Sequence, residues 1–218
     1  MNVFKAFLIT ILFCVLHEFT WPWYYVSVDV IDSINTLDIY NLVSDCVFAS
    51  ILIILFISLK RKDVFEFNAT APKFYILGII LGIGFVFFQT ILDFVYYFEV
   101  APDLYNYKFA PENLKSIDTF RSIIIAPFVE ELFFRNFLQR ELIQKYKPYL
   151  AIFFTSLLFA YIHLQVEGAI FDDAYINWHH AYITFFGGYI LGVLSFKSKS
   201  IIPAILLHMF WNLTVTIV

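Results

Sequence analysis

Apolar residues recur along this chain in runs of about 20, the length an α-helix needs to cross the hydrocarbon core of a bilayer. Several of these runs hold few or no charges. A water-soluble fold of 218 residues cannot hide so much apolar surface, since 61% of the residues are hydrophobic and 15% charged, against roughly 45–50% and about 25% in a soluble domain. The bilayer is therefore the expected solvent. Backbone in lipid has to satisfy its own hydrogen bonds, and the runs lack the roughly 10-residue alternation of a barrel, so the expected fold is all-α. A polytopic transmembrane helical bundle of about seven spans follows, at about 3–27, 43–60, 73–98, 121–140, 148–166, 174–196 and 200–217. The first run, Phe4 to Leu16, begins near Lys5 in the manner of a signal peptide. No small-residue cleavage site follows it, so it reads as a retained span.

Orientation follows from the basic residues, which cluster at Lys60-Arg61-Lys62 with Lys73, at Arg140 with Lys145 and Lys147, and at Lys197 with Lys199. Those loops are expected on the cytoplasmic side, with the N-terminus inside. Residues 28–42 hold no basic residue but carry Asp29, Asp32 and Asp38, and 165–173 is acidic, as the opposite side requires. Loop 99–120 is mixed in charge, and its polar part, 101–118, is expected along the membrane surface. The net charge of −4 argues against a nucleic-acid partner. Cys14 and Cys46 give neither a disulfide framework nor a zinc-type spacing. The whole chain, 1–218, reads as a single integral membrane domain.

A charge at mid-bilayer costs about 2.5–3.5 kcal/mol on insertion scales, so a span that keeps several points to a function. The fourth span keeps Glu130, Glu131 and Arg135. Helical residues four apart share a face and neighbours do not, so Glu131 can pair with Arg135 while Glu130 points elsewhere. Glu130 is then the carboxylate without a local counter-charge, suited to general-base work. The bland alternative for this span alone is a Glu–Arg pair that locks helix packing, with the second glutamate in a watery gap. The fifth span contributes His163, with Phe159 four residues earlier. The seventh contributes His208 and Asn212, four apart and able to aim two donors at one point, as an oxyanion hole requires. At about 1.5 Å per residue from the cytoplasmic ends, Glu130 lies about 15 Å deep, His208 about 12 Å and His163 about 21 Å, within one slab.

These residues resemble the motifs of the CPBP family, the CAAX proteases and bacteriocin-processing enzymes also called Abi intramembrane proteases. EExxxR appears as Glu130-Glu131-Leu-Phe-Phe-Arg135 after Ala126-Pro127, FxxxH as Phe159-Ala-Tyr-Ile-His163, and HxxxN as His208-Met-Phe-Trp-Asn212. The matching core covers about 120–218, which leaves 1–100 as accessory spans. Asn136 departs from the Gly that members often place after the Arg, which bears on a helix contact. The resemblance implies an endopeptidase in which Glu130 and His163 activate water while His208 and Asn212 hold the oxyanion. Glu131, Arg135 and Phe159 would support them. The family is often described as metalloprotease, and Glu130, His163 and His208 would be the zinc ligands if zinc were bound. The metal-free reading is preferred, because zinc would leave Asn212 without a role. The implied partners are the lipid bilayer and a membrane-associated peptide or protein substrate, with CAAX-type, bacteriocin or pheromone processing or self-immunity as the setting. The implied location is a bacterial plasma membrane.

The rival readings are a non-catalytic immunity or scaffold protein on the same fold and an ion or proton transporter. Neither discontinuous spans nor repeated halves, the marks of a transporter, are visible. Asn177, His179 and His180 read as interfacial, with a role in lining the site as the alternative. Gly187 and Gly188 read as a close helix contact. Gln89 and Asp93 share a face, and Asp93 is either solvated or caps the cavity. His17, Glu18 and the aromatic clusters at 21–25, 96–107 and 175–182 read as interface residues.

Overall fold

The computed structural model describes residues 5–16, 34–97, 109–169 and 172–218. Seven helices make up nearly all of it. They are α1 (Lys5–Leu16), α2 (Ile34–Ser58), α3 (Pro72–Tyr97), α4 over residues 117–143, α5 (Pro148–Tyr161), α6 (Trp178–Ser198) and α7 (Ile202–Ile217). The all-α expectation holds, with one addition. Where 165–173 was read as loop and 174 as the start of a span, β1 (Gln165–Ala169) and β2 (Asp172–Asn177) form an antiparallel hairpin. Its register slips between Glu167 and Ala169, at Gly168, where a residue without a Cβ suits a bulge. The sixth helix therefore begins at Trp178, and the fifth ends at Tyr161 rather than 166.

Among the described residues two helices are long and apolar enough to cross a membrane, within Asn41–Ser58 and Pro72–Tyr97. Helices α1, α5 and α7 are apolar but shorter. The surface points the same way as the composition. Val43, Val47, Ile51 and Ile54 on α2, Ile76, Ile80, Phe87 and Ile91 on α3, and Phe153, Phe154 and Leu157 on α5 all face outward. Large side chains at helical spacing facing outward are what a lipid solvent permits and water does not. His17, Glu18 and residues 21–25 and 98–108 lie outside the described residues.

Helix α4 is the centre of the bundle. Phe13 of α1 stacks on Phe133 with ring centroids 3.7 Å apart, Phe56 of α2 meets Phe137 at 4.9 Å, and Phe159 of α5 meets Phe134 edge-on at 5.3 Å. Ser116 caps the N-terminus of α4, its Oγ accepting from the Thr119 N–H at 2.9 Å. The helix then changes pitch without breaking: α-helical at Ile117–Phe120, π-helical at Arg121–Ile125, α-helical at Ala126–Glu131, π-helical at Leu132–Gln139, and α-helical again at Arg140–Ile143. A π segment of eight residues is unusual, because such turns occur mostly singly and often at functional sites.

Helices α3 and α7 touch backbone to backbone. A Cβ on Gly78 would meet the Pro203 carbonyl oxygen at 2.5 Å, and one on Gly82 would run into that of Leu207. Gly78-Ile-Ile-Leu-Gly82 is thus a small-xxx-small contact. Gly187 and Gly188 of α6 do the same for side chains, receiving Trp211 and Phe159.

The basic loops meet at one end of the bundle. Arg61 pairs with Glu141 at 2.8 Å and with Asp63 at 2.8 Å, and Arg140 Nη1 donates to the Asp63 carbonyl at 3.0 Å. Thr70 Oγ1 donates to the Ser198 carbonyl at 2.8 Å. The Arg61 guanidinium beside Asp63 holds that carboxyl below its ordinary range. At the opposite end, the Ala110 N–H donates to the Ile217 carbonyl at 2.9 Å, and Asn113 Nδ2 to that of Thr216 at 3.0 Å.

Candidate active site

Glu130 and Glu131 occupy the last turn of the α-helical segment before the long π segment, and both are buried. Their neighbouring positions send them to different partners, as helical spacing requires. Glu131 uses one oxygen for each of two groups: Oε2 lies 3.1 Å from Arg135 Nε, and Oε1 lies 3.2 Å from His208 Nδ1. Arg135 has no exposed surface, and its guanidinium carbon sits 5.1 Å from the Phe159 ring centroid and 5.9 Å from that of Phe134. Glu130 faces two imidazoles. Its Oε2 is 3.9 Å from His163 Nε2 and 3.9 Å from His208 Nε2, and makes no hydrogen bond among the described residues.

The spacing of FxxxH has a local cause. Helix α5 ends at Tyr161, and the His163 N–H donates to the Ala160 carbonyl at 3.0 Å, three residues back. The Phe159 carbonyl, four residues back, thereby loses the donor a continued helix would supply. The His163 ring replaces it, with Nδ1 2.7 Å from that oxygen. His163 is therefore in the turn beyond the helix, not on its apolar face as the spacing suggested. Because a carbonyl only accepts, Nδ1 carries the proton, and Nε2 is the atom left to face Glu130. His208 is fixed in the same sense by the Glu131 carboxylate. The Phe159 ring fills the space between them, 4.5 Å from the His163 ring and 5.7 Å from that of His208.

Asn212 stands apart. Among the described residues no hydrogen bond joins it to Glu130 or His208, and its Nδ2 donates to the Ser122 carbonyl at 2.8 Å. The π-turn explains why that carbonyl needs a donor. The Ala126 N–H reaches back five residues to the Arg121 carbonyl. At the same spacing the donor for Ser122 is residue 127, a proline without an N–H. The amide of Asn212 has a second N–H beyond the one used here.

Further side chains adjoin the site, among them the two histidines that the sequence reads first as interfacial, with lining the site as the alternative. The first turn of α6 places His180 against His163, ring centroids 5.7 Å apart, and His179 against Asp93 of α3, Nε2 to Oδ1 2.7 Å. Asp93 is thus paired, with little of its surface exposed. Its spacing with Gln89 was visible in the sequence; its partner, 86 residues away, was not. Asn136 makes polar contacts of its own, donating to the Val64 carbonyl and accepting from Arg140 at 3.0 Å.

Among the described residues no group of three His, Cys, Asp or Glu side chains has the arrangement of a metal site. Glu130, His163 and His208, the ligands that a zinc would take, are accordingly not such a group, although Glu130 Oε2 lies 3.9 Å from Nε2 of each histidine.

No curated protein and no solved structure matches the chain. A family model does. Residues 113–214 match the family described as type II CAAX prenyl endopeptidase Rce1-like, a stretch that starts in the turn before α4 and ends within α7. The segment that supplies the paired glutamates, both histidines and the asparagine is therefore a domain of the Rce1-like type II CAAX prenyl endopeptidase family.

Proposed function

We propose that the chain is an intramembrane endopeptidase that hydrolyses a peptide bond of a membrane-associated protein or peptide precursor, acting in a bacterial plasma membrane. One observation carries the reading: a buried carboxylate oxygen, without a hydrogen bond among the described residues, faces two Nε2 atoms, each at 3.9 Å. Both rings have their Nδ1 on fixed acceptors, so each offers the substrate a lone pair when neutral and an N–H when charged. A carboxylate and a neutral imidazole are both acceptors, and a water molecule has the two O–H groups to bind them together. Glu130 takes the proton as the water oxygen attacks the peptide carbonyl carbon, with His163 orienting that water. His208, in its N–H form, and the second N–H of Asn212 receive the oxyanion. Glu130 then returns the proton to the departing amine. Glu131 and Arg135 hold His208 in place.

The test is a comparison of membrane proteomes from cells carrying the protein or its Glu130→Gln variant. Uncleaved precursors should accumulate with the variant, while its unfolding temperature stays that of the parent. Loss of a general base slows such steps by about 10²–10⁴. Unchanged processing of every precursor would sink the proposal, and unfolding of the variant would favour a packing role for the motif.

A further inference from the structure

A hydrolase embedded in lipid consumes one water per bond, and the walls around Glu130 are mostly dry. Glu131, Arg135, Phe134 and Phe159 have no exposed surface, and Trp211 is 5% exposed. The His208 side chain is 4% exposed, that of Glu130 11% and that of His163 20%, so the site opens on the His163 side. Next to His163 on that side stands His180, and His180 also lines a cleft of about 220 Å³ between α3, α6 and α7. Gln89, Asp93 and His179 line it too, together with apolar residues that include Val86 and Val215. Four hydrogen-bonding side chains at one end of an apolar bundle are costly unless they meet water. A cleft along α2, by contrast, is apolar apart from Ser50 and Cys46.

We propose that the cleft between α3, α6 and α7 is the path by which water reaches Glu130, with His180 standing between the cleft and His163. The chemistry of the lining favours water over an ion. Asp93 Oδ1 is already engaged by His179 Nε2 at 2.7 Å, and the amide of Gln89 and the ring of His180 offer both donors and acceptors. The Asp93–His179 contact also ties the first turn of α6 to α3. Neighbouring positions on a helix point about 100° apart, and with His179 held on α3, His180 is aimed at the turn after α5. The inference rests on the reading of the site as a hydrolase, but its test does not need turnover.

In a background with Cys14→Ser and Cys46→Ser, the thiol of a His163→Cys variant reports on water at the site. A charged, water-borne methanethiosulfonate reagent should modify it. Adding Val215→Trp at the half-exposed rim of the cleft should slow that modification about ten-fold, the ratio given by an added barrier of about 1.4 kcal/mol. Gln89→Phe narrows the same cleft from α3 and should act alike if the tryptophan disturbs folding. Modification that is equally fast with the cleft filled, or absent altogether, overturns the proposal. With His163 intact, Val215→Trp should lower kcat for precursor cleavage and leave KM unchanged. A raised KM with unchanged kcat would assign the cleft to the substrate chain instead. A site that is labelled through the cleft but cleaves nothing refutes the peptidase reading while leaving the water path standing.

Discussion

Adjacent glutamates in one helix do different work because a helix cannot aim neighbours at one point. The pairing of Glu131 with Arg135 was legible from a spacing of four, and so was the separation of Glu130 from both. What the spacing did not reveal was that His208 serves both carboxylates, one through each ring nitrogen, since no local rule relates residues 131 and 208. The two glutamates are expected to differ sharply on substitution. Glu130→Gln removes the proposed base and leaves every ion pair of Glu131 in place. Glu131→Ala strands Arg135, which has no exposed surface, in the middle of the bundle. Breaking a buried pair by removing one partner costs about 3–5 kcal/mol. Thermal unfolding in detergent should therefore show a large loss for Glu131→Ala and almost none for Glu130→Gln. Equal losses would mean that Glu130 is held by packing rather than reserved for chemistry.

Among the elements, α4 shows why motif residues were easier to read than their geometry. Ala126-Pro127 was visible as part of a motif, but its consequence depends on the π-turn before it, which no periodicity of apolar residues announces. The Ser122 carbonyl has a proline where the π spacing would put its donor, and Asn212 supplies an N–H. Asn212→Ala should accordingly destabilise the fold by about 0.5–1.5 kcal/mol, the net worth of one part-buried hydrogen bond. Pro127→Ala restores an N–H at that spacing, so the double variant should recover most of the stability. Activity should stay low in the double variant if the second N–H of Asn212 also holds the oxyanion; recovery of both would confine Asn212 to helix geometry. The α3–α7 contact is a simpler case. Gly82→Ala puts a Cβ against the Leu207 carbonyl and should cost about 1–3 kcal/mol. Gly84→Ala, two residues on with nothing within 4 Å, should cost nothing. The GxxxG pattern that produces this contrast was present in the third run but was hidden among apolar residues, whereas Gly187-Gly188 stood out because the two are adjacent.

At the scale of the whole molecule, charge and hydropathy speak to different features. The length of apolar runs suggested seven spans, yet two described helices meet the requirement for length and hydropathy on their own. Of the others, α1, α5 and α7 are apolar but shorter, α6 has the length at 21 residues but is less apolar, and α4 holds the charged residues of the site. The basic clusters, by contrast, lie on loops that touch one another: the turn after α2 binds the end of α4 through Arg61 and Glu141, and the loop before α3 binds the end of α6 through Thr70 and Ser198. A single polar end that gathers the Lys and Arg loops supports a proposed orientation with that end in the cytoplasm. The opposite end, where Asn113 is tied to the Thr216 carbonyl, would then face outward. With both native cysteines replaced by serine, an impermeant maleimide added to intact cells should label Asn113→Cys, and should label Lys145→Cys only after the membrane is opened. The reverse pattern would invert the topology and put the cleft between α3, α6 and α7 on the cytoplasmic side. Labelling of both in intact cells would reject a fixed transmembrane orientation. Because Asp93 and Asn113 lie toward the same end as that cleft, the result also fixes which aqueous compartment supplies water to Glu130.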